Sequence, residues 1–78
     1  MLRDQIKEVD RDLLALAARR IALARQVGEE KRRLDRPVVD YGQERTVLER
    51  ARASADTLGL DPQVADAIVA NLIRAAVS

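Results

Sequence analysis

From Leu2 to Leu34 the apolar residues recur at helical spacing. Leu2, Ile6, Val9, Leu13, Leu16, Arg20, Leu23 and Val27 follow alternating steps of four and three, a heptad-like stripe. A second stripe runs beside it through Leu14, Ala17, Ile21, Ala24, Gly28 and Lys31. Together they form an apolar face wider than a two-stranded coiled coil requires. The pattern predicts one helix over 2–34, on the order of 50 Å long at 1.5 Å per residue. The 44 residues that remain are too few to cover such a rod, so the reading is a homodimer intertwined through this helix.

Pro37 lacks an amide donor and pushes Arg36 out of helical geometry, which ends the first helix. Val38 and Val39 then read as a short extended connection. Asp40 is the N-cap of a second helix over 41–57, with Gln43 completing a capping-box-like pair. Glu44, Leu48, Ala51, Ala55 and Leu58 share one face of that helix, and Gly59 suits its C-terminal cap. Asp61 and Pro62 open a third helix over 62–77, Asp as cap and Pro at the first helical position. Its apolar face is Val64, Ile68, Leu72 and Ala76, flanked by Ala65, Val69 and Ile73. The fold class is therefore all-α, three helices in one domain over 1–78, without repeats or linkers.

Composition narrows the chemistry. Hydrophobic residues make up 47% and charged residues 35%, with Tyr41 the sole aromatic. A core lacking Phe and Trp is thin in so short a chain, and oligomerisation is the usual remedy. The 14 basic and 13 acidic residues leave a net charge of +1, without the basic excess or aromatic interleaving of a nucleic-acid binder. No apolar run reaches transmembrane length and no secretory leader is visible, so the chain reads as cytoplasmic, with neither membrane nor nucleic-acid partners. His and Cys are both absent, which excludes zinc sites of the usual kind, Ser-His-Asp triads and Cys-His dyads. An enzyme built from these residues works by charge and positioning, and no cofactor is expected.

Three charged residues interrupt the apolar faces. Arg20 holds a seam position between Leu16 and Leu23, and Lys31 ends the second stripe. They are eleven residues apart, roughly three turns, and so point within about 20° of each other. Ala24, Val27 and Gly28 lie between them, two of them very small, and small residues flanked by two cations suit an anion cavity. The plainer reading has both side chains reaching solvent or pairing with acids across a helical seam, and on periodicity alone it leads. Glu44 sits in the first turn of the second helix, where the helix dipole alone stabilises a carboxylate. Asp40 and Gln43 are most simply capping residues. Arg3 points about 100° away from Arg20 by the same helical arithmetic, so it joins that site only from a partner chain.

The opening LRDQIKEVDRDLLALAARR, followed by VGEEK, RPVVDYGQER and LGLD, resembles the all-α (AroQ-type) chorismate mutase family. Each piece alone is weak; the ordered set, at these spacings, covers essentially the whole chain. The resemblance implies an interlocked dimer with composite active sites, acting in aromatic amino acid biosynthesis by the shikimate pathway. Carried over residue by residue, Arg3 reaches a substrate carboxylate from the partner chain, and Arg20 binds a carboxylate within its own chain. Lys31 faces the ether oxygen and a carboxylate, while Asp40 and Glu44 lie near the ring hydroxyl. The implied reaction rearranges the dicarboxylate chorismate to prephenate, one carbon–oxygen bond breaking as one carbon–carbon bond forms. It needs no nucleophile, metal or obligatory proton transfer. Lys31, Arg20, Arg3 and Glu44 are thus the candidate catalytic residues, and Asp40 and Gln43 further substrate contacts.

The chain also departs from that family. Gln43 stands where many members carry arginine, and Ala76 where a serine often contributes to the site. Ser78 is the last residue before the position at which the family usually places a Gln or Glu at the ether oxygen. Loss of one such donor commonly costs about 10²–10³ in rate, so weakened catalysis is expected. Asn71 and Arg74 fall on the outer face of the third helix. Three alternatives stand beside the mutase reading. One is isochorismate-pyruvate lyase or 4-amino-4-deoxychorismate mutase activity on the same fold; another is a non-catalytic regulatory or dimerisation module; the third is a plain helical interaction domain.

Overall fold

The computed structural model describes residues 1–38 and 40–77, and every regular element among them is helical: α1 (Leu2–Arg33), α2 (Tyr41–Leu58) and α3 (Pro62–Val77). The three expected helices are present, with boundaries shifted by a residue at the end of α1 and of α2. Val39, in the expected extended connection, and Ser78, on which the C-terminal expectation rests, lie outside the described residues.

Local chemistry explains each helix end. α1 stops through backbone geometry that begins before Pro37. Asp35 adopts φ 57°, the left-handed conformation that usually belongs to glycine at this place. Its N–H donates to the Arg32 carbonyl at 3.0 Å and that of Arg36 to the Lys31 carbonyl at 2.7 Å, the paired bonds of a Schellman motif. Pro37 then prevents continuation. At the start of α2 the Asp40 carboxylate accepts from the Gln43 N–H at 3.1 Å. Only half of the expected capping box forms, because the Gln43 side chain makes no return bond to Asp40. α2 closes on Gly59 at φ 71°, with Leu60 N–H donating to the Ala55 carbonyl at 2.9 Å. Asp61 caps α3 by accepting from the Gln63 N–H at 2.8 Å, with Pro62 as the first helical residue.

α3 is the helix that ties the fold together. It packs against both α1 and α2, whereas no Cα of α1 comes within 8 Å of one in α2. The crossing of α2 and α3 is close because it is built on alanine: Ala55 is 1% exposed and Ala65 7%, and these are the buried hydrophobic residues of the described chain. Arg52 of α2 adds an ion pair to Asp66 of α3 at 2.8 Å, worth about 0–1 kcal/mol at a partly exposed site.

The two stripes of α1 have different fates. Ala17, Ile21, Ala24, Gly28 and Lys31 of the second stripe are half-buried, because α3 lies over that side. Leu14 lies beyond the reach of α3 and remains exposed. The first stripe is open. Leu2, Ile6, Val9, Leu13, Leu16, Leu23 and Val27 are each at least 50% exposed. The molecule measures 51 Å in its longest dimension and 23 Å in the next, so α1, about 48 Å long at 32 residues, sets its length. An apolar strip along nearly the full molecule, interrupted at Arg20, is the kind of surface soluble monomers rarely leave uncovered.

Candidate functional site

The C-terminal third of α1, the start of α2 and the end of α3 surround a cavity of about 290 Å³. Its α1 wall is small and apolar at Ala24, Val27 and Gly28. Val38, in the connection that follows α1, faces the same space: a Cβ built at Gly28 would rest 3.4 Å from its Cγ1, an ordinary contact distance. Glycine is therefore not forced here by a clash, and its lack of a side chain leaves room in the wall. Opposite, α3 contributes Ile73, Ala76 and Val77.

The charged lining comes from two helices whose Cα atoms all stay more than 8 Å apart. Lys31 projects from the last turn of α1, while Asp40, Gln43 and Glu44 belong to the cap and first turn of α2. Lys31 and Glu44 are both half-buried. Four of the six residues singled out in the sequence thus line one cavity. The same lining contains three that sequence reasoning missed: Arg25, Glu29 and Arg32. Arg25 and Arg32 stood in plain view at the helical spacing Ile21, Arg25, Gly28, Arg32, beside the second stripe. They were overlooked because they interrupt no apolar position. Counted together, the cavity carries three basic residues, Arg25, Lys31 and Arg32, and three acidic ones, Glu29, Asp40 and Glu44. The lining of a single chain is therefore balanced rather than cationic.

Arg20 is not part of that lining. It precedes Ala24, the first lining residue of α1, by one helical turn, which makes the two neighbours on the helix surface. The residue is half-buried, and its Nη1 is shielded from water without a hydrogen-bond partner among the described residues. A shielded guanidinium nitrogen without an acceptor is costly, about 1–3 kcal/mol for an unsatisfied polar group and more for a charged one. Arg3 lies at the far end of α1, beside Met1, Leu2 and Gln5. At 28 residues from Lys31 it is about 42 Å away along the axis, so it does not join the cavity of its own chain.

On α3, Asn71 donates to the Ala67 carbonyl at 3.0 Å and accepts from Arg74 at 2.8 Å. Both residues are exposed and outside the cavity lining, as their spacing predicts. Ala76, at the position of the family's serine, does line the cavity and brings a methyl group instead of a hydroxyl.

A family model described as chorismate mutase type II matches residues 2–78. The chain belongs to that family. The resemblance read from its motifs is thus the correct one. Among curated proteins it is similar to the T-protein of Enterobacter agglomerans, 37% identical over 73 residues. That match takes in 94% of this chain but 20% of the relative, so the chain spans about a fifth of the length of the curated protein it matches. No solved structure gives a significant match. No helix among the described residues is long and apolar enough to cross a membrane.

Proposed function

We propose that the chain catalyses the rearrangement of chorismate to prephenate as one half of a homodimer with shared sites. The observation that carries this reading is the meeting of Lys31 with Asp40, Gln43 and Glu44 around one cavity in a chain of the chorismate mutase type II family. The reaction is intramolecular, so a site has two ways to accelerate it. It holds the flexible enolpyruvyl arm over the ring, which removes entropy from the barrier. It also sets fixed charge beside the ether oxygen as that bond breaks.

Lys31 is the group assigned to the ether oxygen. It is half-buried, so its charge acts through less water than a surface ammonium would. Arg20 is assigned to a substrate carboxylate. Its shielded, unpartnered Nη1 is a donor held ready for an acceptor that the chain itself does not supply, and guanidinium suits a carboxylate through its bidentate geometry. Asp40 and Glu44 are assigned to the ring hydroxyl, with Gln43 as a neutral donor beside them.

Two observations support a second copy. The exposed stripe of α1 needs a cover, and a like helix offers one of matching length. A dianionic substrate also fits poorly in a cavity whose own charges cancel. Arg3 of the second copy would tip that balance, and Arg3 has no route to the cavity of its own chain. Gln43 favours a second reading, a related substrate with a different ring substituent, because its amide brings no charge to the lining. Product analysis separates the two.

The test is to incubate the purified chain with chorismate, follow its loss and identify the product. Prephenate formation is expected, and Lys31→Ala is expected to lose about 10²–10³ in turnover while keeping its helical circular dichroism. Absence of prephenate, or equal turnover in the variant, would overturn the reading.

A further inference from the structure

Arg32 and Arg33 are neighbours in the last turn of α1, yet their guanidiniums have different fates. Arg33 forms an ion pair with Glu30, three residues back. Arg32 has an acid at the same spacing, Glu29, and makes no ion pair with it. Its side chain has no hydrogen-bond or ion-pair partner among the described residues. Arg32 and Glu29 line the cavity, whereas Arg33 and Glu30 lie outside the lining.

The other two cations of the lining are already engaged or assigned. Lys31 is given to the ether oxygen, and the Arg25 Nη2 donates to the Ala75 carbonyl at 3.3 Å. Arg32 is the cavity cation left over. Lys31 is half-buried and Arg32 exposed, which sets Lys31 inside the cavity and Arg32 at its mouth. In a lining whose charges otherwise cancel, a cation at the mouth decides the field that an approaching anion meets. Such a rim charge acts mainly on capture and on salt dependence. Its planar fork also suits a carboxylate.

A plainer role is open to any cation at this place, since a helix C-terminus favours positive charge in its last turn. Arg33 shares that role without facing the cavity, and so serves as the control. We infer that Arg32 is a specificity-determining residue: it stands at the mouth of the cavity and selects dicarboxylates by holding one carboxylate as the ligand enters. The consequence for chorismate rests on the mutase reading above; the anion preference of the cavity does not.

The experiment compares the full chain with Arg32→Gln, Arg32→Lys and Arg33→Gln. Isophthalate, a ring with two carboxylates, and benzoate, with one, are titrated in and followed by the amide NMR shifts of Gly28 and Glu44. Wild type is expected to bind isophthalate the more tightly. Arg32→Gln is expected to weaken isophthalate about three- to tenfold, the scale of one partly solvated charge contact, and to narrow the preference over benzoate. Arg33→Gln leaves both affinities unchanged, and Arg32→Lys falls between. In chorismate kinetics, KM in Arg32→Gln rises by a similar factor with kcat nearly constant, as loss of uniform binding requires. The fall of kcat/KM with added salt becomes shallower. No isophthalate binding by wild type, unchanged affinity in Arg32→Gln, or an equal loss in Arg33→Gln each overturns the inference. So does a loss confined to kcat, which would place Arg32 at the barrier rather than at entry. Should wild type form no prephenate while the isophthalate results hold, the mutase reading fails and the role of Arg32 stands.

Discussion

Lys31 in the last turn of α1 and Glu44 in the first turn of α2 line the same cavity, although their helices make no backbone contact. The short connection between the helices and the seat of α3 bring them together. A cation and a carboxylate facing one space without forming an ion pair leave both groups free to act on a third molecule. That arrangement gives the site its chemical character, and the predictions below probe the residues around it.

Arg20→Met is expected to hold or raise thermal stability while abolishing turnover. The substitution removes a shielded nitrogen that has no acceptor and leaves an apolar stem of similar length between Leu16 and Leu23. A gain of up to about 1 kcal/mol follows from relieving an unsatisfied group, or a rise of several degrees for a domain of this size. Melting curves at fixed chain concentration check it. Severe destabilisation would instead make Arg20 a structural residue.

Arg3→Ala and Lys31→Ala, each inactive alone, are expected to recover partial activity when mixed and allowed to exchange subunits. If Arg3 serves the cavity of the other chain, as proposed, a heterodimer of the two holds one site with both residues intact. Chorismate turnover after exchange verified by mass spectrometry is the measurement. No recovery would count against a shared site.

Gly28→Ala is expected to stabilise the chain by about 0.5–1 kcal/mol, the ordinary preference of a helix interior for alanine. The new methyl meets Val38 at an acceptable distance. It also adds bulk to the α1 wall of the cavity, so turnover is expected to fall severalfold. Opposite signs for melting temperature and kcat would mark Gly28 as a residue kept for space.

Asp35→Gly is expected to stabilise the chain by about 0.5–1 kcal/mol with activity unchanged. Asp35 holds φ 57°, which costs an L-residue more than glycine, although the freer unfolded chain takes back a part of the gain. Denaturant unfolding at constant protein concentration reads the difference.

Much of this architecture was legible beforehand, for identifiable reasons. The apolar period drew α1, and Asp40, Gly59 and the Asp61–Pro62 pair marked helix ends because each does one local job that needs no tertiary partner. Pro37 was a weaker guide. It showed that the helix must stop but not that Asp35 would turn left-handed first, since aspartate carries no strong signal for that conformation. At the site, Lys31 and Glu44 were readable as charges on apolar faces. Arg25 and Arg32 were not, because flanking a stripe leaves no mark until a third helix lands there. The charge balance of the cavity was likewise invisible, since it depends on which acids of α1 and α2 meet in space. Arg3 could be excluded from its own chain's site by helical arithmetic alone, and the straightness of α1 keeps that deduction sound.

The alanine pair at the α2–α3 crossing has a reach beyond its size. Ala55 and Ala65 are the fulcrum about which the α2 wall of the cavity is held against α3. A bulkier side chain at either would lever the two helices apart and swing Asp40 and Glu44 relative to Lys31, with each helix still intact. Two methyl groups outside the lining of that cavity thus help to set the spacing of the charges within it.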